Sequence, residues 1–224
     1  MTHESAVVLA EAYEGATTVI AGLGEDDRRR PTGCAGWSID ALVAHMLLDA
    51  QRSLIALASE VHREPYTDAV SYWRAWNPSV EPAARDSHAG FVTRLGHAYS
   101  SMQVLTTQWA HTAQAAVRAA ASADQGMPLV TQDHVLTVAD LCRTLVVEAV
   151  VHHLDLVTDL PEAPEPAAAP LAVTRETLDG LWGRAAPEGW DATTYVRRAT
   201  GREPLSDADH DLLGASAARL PLLG

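Results

Sequence analysis

The stretch LVVEAVVHHLDLVTDL, residues 145–160, sets Glu148, His152, Asp155 and Asp159 among Val146, Val147, Val150, Val151, Leu154 and Leu156. At about 100° per residue, Thr144, Glu148, His152, Asp155 and Asp159 fall within an arc of about 80° on one helical face. The rest of the circumference is apolar apart from His153 and Thr158. Such a stripe is either the solvent face of an amphipathic helix or a polar line turned into a bundle. A solvated face usually mixes Lys or Arg with Glu, and here no basic residue follows Arg143 within the helix. Glu148 and His152 stand four apart, so their side chains share a face. A buried carboxylate is costly unless it is paired or coordinated, and a divalent cation would meet that need. The candidate third ligand is His45 in SIDALVAHMLLDAQ, which borders the apolar face of Leu42, Val43 and Met46. A lone histidine in such a place is also commonly a satisfied core residue, and spacing alone does not separate the two readings.

The elements that must carry these residues follow from periodicity. Residues 4–23 repeat Val8, Ala12, Ala16, Val19, Ile20 and Leu23 at helical spacing, and GEDDRRRPTGCAG then reads as a loop. Ser38 suits an N-cap and Asp40 the first turn of a second helix that buries Ile39, Leu42, Val43, Met46, Leu47, Leu54 and Ile55. Residues 64–82, with Pro65, Asn77, Pro78 and Pro82, are irregular, and their Trp73 and Trp76 are placed to cover a pocket mouth. Residues 83–124 are helix-compatible but too long for one ordinary helix, so a break is expected near Ser100–Ser101. Gly126 and Pro128 end that region. Thr137, with Asp140 three residues on, opens a further helix to about Leu160. PEAPEPAAAP reads as a linker. A short helix around Val173–Trp182, a candidate strand in DATTYVRRA and a last helix opened by Ser206 follow. The pattern predicts an all-α fold: a four-helix bundle over residues 1–162, then a linker and a small mixed α/β appendage over 163–224.

Bulk properties narrow the function classes. The 224 residues carry a formal charge of −13, and all 16 basic residues are Arg. That balance argues against nucleic acid and anionic membrane as partners. No apolar run reaches the roughly 18 residues that span a bilayer. The N-terminus lacks the basic segment of a signal peptide, so a cytoplasmic location is expected. Cys34 and Cys142 are too few for a disulfide framework and are expected to stay reduced. The Arg and Ala bias suggests a GC-rich bacterial source.

PTGCAGWSIDALVAH, residues 31–45, resembles the Thr-Pro-Cys-Pro-Gly-Trp-(Thr/Ser)-x-x-x-Leu-Val-Ala-His signature of the mycothiol-dependent maleylpyruvate isomerase N-terminal domain family. That family lies in the DinB-like four-helix-bundle superfamily and includes actinobacterial members. EAVVHHLDL, residues 148–156, is similar to its second signature, Glu-x-x-x-His-x-(Trp/Leu)-Asp, and the two lie about 100 residues apart, as in the family. The resemblance spans roughly residues 1–160. Gly33 and Ala35 stand where the signature favours Pro, a change expected to act on loop stiffness more than on chemistry. The tail looks like the short C-terminal region of uncharacterised relatives, not the larger domain of the characterised isomerase.

The resemblance implies zinc ligands at His45, Glu148 and His152, mycothiol or another small thiol as cosubstrate, and a small electrophile as substrate. Two imidazoles and a carboxylate leave a tetrahedral zinc one open position, the catalytic pattern. A thiol entering there would become thiolate, and the ion would act as template and Lewis acid in S-transfer or isomerisation. Asp155 and Asp49 are candidates to accept the outer N–H of an imidazole; the alternative for Asp155 is to cap or bridge near the helix end. Arg52 could hold a carboxylate of the thiol or substrate, or lie at the surface. Cys34 reads as a small hydrophobe and His153 as structural. His88, His97 and His111 share the third helical region, and nothing in the sequence selects one of them. The same ligands would suit nickel or iron, a metal-dependent hydrolase, or a non-catalytic metal-binding or stress-response module.

Overall fold

The computed structural model describes residues 4–74 and 82–223. Helix α1 (Glu4–Ala21) buries Leu9, Tyr13, Ala16 and Ile20, and α2 (Ile39–Leu57) buries Leu42, Val43, His45, Met46 and Asp49. After the short α3 (Ser71–Arg74) come α4 (Pro82–Ala98), α5 (Met102–Ser122) and α6 (Val138–Val157). Helices α1, α2, α5 and α6 make the bundle: α1 packs on α5 and α6, α2 packs on α5 and α6, and α4 lies along α2. The expected break in the 83–124 run falls at Ser101, whose hydroxyl accepts from the Val104 N–H at 3.3 Å and opens α5. Thr137 caps α6 in the same way, accepting from the Asp140 N–H at 3.0 Å. Ser38 holds the N-cap position of α2, but its hydroxyl donates to Asp40 Oδ1 at 2.5 Å and caps no backbone N–H.

Asp40 is fully buried and draws in more than that one donor. Arg28 Nε bonds it at 3.1 Å and Arg29 lies 3.0 Å from it. Arg28 also donates to the carbonyls of Gly96 at 2.9 Å and Tyr99 at 2.6 Å. The start of α2 is thereby tied to the end of α4. The approach is close enough that a Cβ on Gly96 would come within 2.6 Å of the Asp40 carbonyl oxygen.

A two-stranded antiparallel hairpin stands where the sequence reading placed only a helix-ending turn. Strand β1 (Pro128–Thr131) pairs with β2 (His134–Thr137). Its tip residues Gln132 and Asp133 have φ 46 and 63, the left-handed sense that a two-residue hairpin turn requires. That turn usually announces itself with Asn-Gly or Asp-Gly; Gln-Asp hides it.

The C-terminal appendage corrects the expected mixed α/β character. Among the described residues beyond 163 it is helical: α7 (Ala168–Trp182), α8 (Ala192–Ala199), α9 (Asp207–Leu213) and a 3-10 turn. The candidate strand in DATTYVRRA is α8. Its Thr, Tyr and Val favour strands, but Tyr195, Val196 and Ala199 bury one helical face, and Asp191 caps the helix by accepting from the Thr194 N–H at 2.7 Å. The proline-rich linker is shorter than its composition suggests, since α7 begins inside it and Pro170 is buried. Helix α7 packs on α6 and α8. No helix among the described residues is long and apolar enough to cross a membrane. Trp73 is core, edge-on to Tyr72 at 5.1 Å, so it does not cover a pocket mouth; Trp76 lies outside the described residues.

Candidate metal centre

Helix α6 is enclosed along most of its length, so its polar stripe points into protein. Thr144, His152 and Asp155 are buried, Glu148 is partly so, and Asp159, past the helix end, is exposed. Because α2 packs on α6, His45 meets this stripe. His152 Nε2 lies 3.2 Å from Glu148 Oε2, and His45 Nε2 lies 3.7 Å from the same oxygen. One donor atom from each of the three residues lies within 4.8 Å of the others. Ligands about 2.0–2.1 Å from a tetrahedral zinc stand about 3.3 Å from one another, and the two separations from Glu148 lie close to that value.

Charge points the same way. With both imidazoles neutral, as coordination requires, the carboxylates of Asp49, Glu148 and Asp155 exceed the guanidiniums of Arg52 and Arg202 by one negative charge, which a protonated His152 balances in the free protein and a cation would balance in its place. Asp49 is buried and is ion-paired with Arg52. Its Oδ2 lies 3.3 Å from His45 Nε2. Two imidazole nitrogens and a carboxylate oxygen turned towards one point, with a second buried carboxylate beside them, suit a divalent ion.

The outer nitrogens of the two imidazoles have different partners. His152 Nδ1 faces Asp155 Oδ2 at 3.0 Å. Asp155 is fully buried, and Arg202 grips both its oxygens through Nε and Nη2 at 3.1 Å each, a bidentate pair. Gly33 donates its N–H to the Asp155 carbonyl at 2.9 Å. A Cβ at Gly33 would sit 2.7 Å from Asp155 Oδ1 and 2.8 Å from Thr158 Oγ1. The departure from proline at this position therefore changes more than loop stiffness, because proline would lose that N–H and collide with the aspartate. His45 Nδ1, by contrast, faces Nε2 of His88 from α4 at 3.3 Å. Asp49 approaches the other nitrogen of His45, beside Glu148. Trp37 roofs the cluster, edge-on to His45 at 5.0 Å and stacked with His152 at 6.3 Å.

These surroundings split the two imidazoles electrostatically. Burial pulls His45 down to about 4, only partly opposed by Glu148. Burial acts on His152 too, but hydrogen bonds to Asp155 and Glu148 outweigh it and push the group up to about 9. Burial likewise raises Glu148, and the two imidazoles outweigh it, holding the carboxyl well below the usual range. Asp155 is held low against burial by His152 and Arg202.

Beyond Glu148 a cleft opens between α2, α6 and the hairpin tip, lined by Asp49, Arg52, Gln132, Thr144 and Tyr72, whose hydroxyl bonds Gln132. Arg52 thus borders the site. His153 is structural, its Nε2 lying 2.8 Å from the Pro164 carbonyl. His97 and His111 are exposed, and Cys34 is half-buried in the loop before α2. Sequence reasoning does not select Arg202, His88 or Trp37. Trp37 sits inside a motif that could have flagged it, whereas Arg202 and His88 carry no local signal.

The comparisons with known proteins are consistent with this architecture. No curated protein sequence matches the chain. Two crystal structures of the mycothiol-dependent maleylpyruvate isomerase, one of them of a histidine-to-alanine mutant, are similar in fold. Each is 16% identical and covers 90% of this chain and 89% of the other, with TM-scores of 0.56 and, for the mutant, 0.59. A family model described as the mycothiol maleylpyruvate isomerase N-terminal domain matches residues 9–157, both candidate ligand segments included, so the chain belongs to that family.

Proposed function

We propose that this chain is a metal-dependent enzyme that uses a low-molecular-weight thiol, mycothiol in the first instance, for S-transfer to or isomerisation of a small electrophile. The observation that carries the reading is the convergence of two inward-facing imidazole nitrogens and one carboxylate oxygen on a point inside the bundle. His45, Glu148 and His152 would hold the ion, with zinc the best match to that donor set. When bound, it would supply Lewis acidity that lowers the pKa of an incoming thiol. Asp155, locked by Arg202, fixes the His152 ring so that Nε2 faces inward. Asp49 Oδ2, 3.3 Å from His45 Nε2, would take the proton that the thiol sheds. Trp37 covers the rings of His45 and His152. Arg52, at the edge of the cleft, faces the space where a carboxylate of the thiol or substrate would lie.

Membership of a family named for a mycothiol-dependent isomerase supports the thiol. The test is metal content and thiol-dependent turnover, measured on the wild type and on His45→Ala. The expected result is about one divalent ion per chain, lost in the variant while the helical signal persists, and turnover of model electrophiles only with added thiol. A metal-free wild type as stable as His45→Ala would instead indicate a non-catalytic module. Turnover without thiol would indicate a hydrolase.

A further inference from the structure

We propose that His88 is the positioning residue of His45: its Nε2 accepts the Nδ1–H of His45 and so aims the opposite nitrogen at the cation. The proposal rests on the metal-site reading above and extends it to a residue outside the α2 and α6 motifs.

Coordination through His45 Nε2 leaves one arrangement of protons. A neutral imidazole that coordinates through Nε2 must carry its hydrogen on Nδ1. The group facing His45 Nδ1 is His88 Nε2, at 3.3 Å, with the two rings edge to face at 5.3 Å between centroids. His88 Nε2 must then be the acceptor and His88 Nδ1 must hold its proton. Asp49 cannot take this role, because it approaches His45 on the Nε2 side. In the free protein the alternative arrangement is open: His45 Nε2–H can donate towards Glu148 or Asp49 while Nδ1 accepts from His88. Ion binding would thus reverse the hydrogen bond between the two histidines.

The scaffold holds the pair in register. Helix α4 lies along α2, and its far end is fixed by Arg28, which joins Asp40 to the carbonyls of Gly96 and Tyr99. The contact of Gly96 with the Asp40 backbone admits no side chain. With the two helices locked there, His88, about two turns back along α4, is carried to His45, five residues into α2 from Asp40. Trp37 flanks the junction, 6.1 Å from His88 and 5.0 Å from His45 between ring centroids.

The test compares wild type, His88→Ala and His88→Gln, whose amide oxygen can stand where Nε2 was. Zinc affinity is measured by chelator competition, and the imidazole 15N shifts of the wild type are recorded with and without zinc. Loss of such a partner weakens metal binding about 10–100-fold, so His88→Ala should lose that much and His88→Gln should recover most of it, with thermal unfolding of the free proteins unchanged. His88 should show the Nδ1–H tautomer in the zinc-loaded wild type. Equal zinc affinity in all three proteins, or a zinc-loaded His88 protonated on Nε2, overturns the proposal and leaves the metal site standing. A wild type that binds no zinc overturns the metal-site reading, and the proposal with it.

Discussion

The two imidazoles that face Glu148 are supported in opposite ways. His152 is backed by a fully buried carboxylate that an arginine from the C-terminal appendage holds in a bidentate grip. His45 is backed by an exposed histidine on α4. One support is charged, dry and braced from three segments; the other is neutral, wet and single. The difference teaches that α6 supplies the rigid half of the centre and α2 the more lightly supported half. It also explains the split in basicity: Asp155 and Glu148 outweigh burial at His152, whereas at His45 burial wins.

Removing a ligand should have the largest effect. His152→Ala or Glu148→Ala is expected to abolish stoichiometric metal, read by elemental analysis. Next comes the brace. Asp155→Ala leaves the Arg202 guanidinium, itself largely buried, without its partner, and breaking such a pair costs about 3–5 kcal/mol. Urea unfolding should show that loss, and chelator competition a metal affinity about 10–100-fold weaker. If Asp155→Ala is as stable as wild type, the rigid half is misassigned. Gly33→Ala should follow at about 1–3 kcal/mol, because its methyl group is forced against Asp155 and Thr158.

The pH dependence of the metal-free protein sharpens the contrast. His152, raised to about 9, contributes stability that is fully present below its unfolded pKa of about 6.5 and is lost as pH rises through the folded value. His45, lowered to about 4, contributes stability that is present above about 6.5 and is lost as pH falls through the folded value. With chelator, Tm should therefore decline on both sides of about pH 6.5. With zinc the alkaline decline should disappear, since a coordinated His152 has no proton left to lose. A Tm that rises steadily from about pH 6.5 to about pH 9 in chelator would contradict the assignment for His152. The smallest stability effect belongs to His88→Ala, expected within about 0.5 kcal/mol for an exposed side chain, despite its effect on zinc affinity.

Much of the bundle is legible in the sequence because its signals are local. The i,i+4 spacing of Glu148 and His152, the apolar surround of α6, the Ser101 break and the Thr137 cap are all written within single turns of helix. His45 is legible for the same reason, as an imidazole beside an apolar stripe. What stays hidden depends on tertiary register. Arg202 reaches Asp155 across 47 positions, and His88 reaches His45 only because α4 is locked on α2. Spacing marks Asp49 as a partner of His45, but it does not say which nitrogen the carboxylate approaches. The 192–199 segment reads as a strand because β-branched and aromatic residues favour strands in isolation; an aspartate cap and one buried face override them. The hairpin escapes notice because its tip carries neither glycine nor asparagine.

The indole over the histidines gives the molecule an optical handle. Trp73, Trp109, Trp182 and Trp190 are buried in the core or the appendage, whereas Trp37 lies within 6.3 Å of His45, His88 and His152, measured between ring centroids. Its emission should therefore report occupancy directly: a paramagnetic ion such as cobalt or copper would quench it, and zinc would leave it bright. Loading, exchange and ligand entry can then be followed in real time on the unlabelled protein, with Trp37→Phe as the silent control.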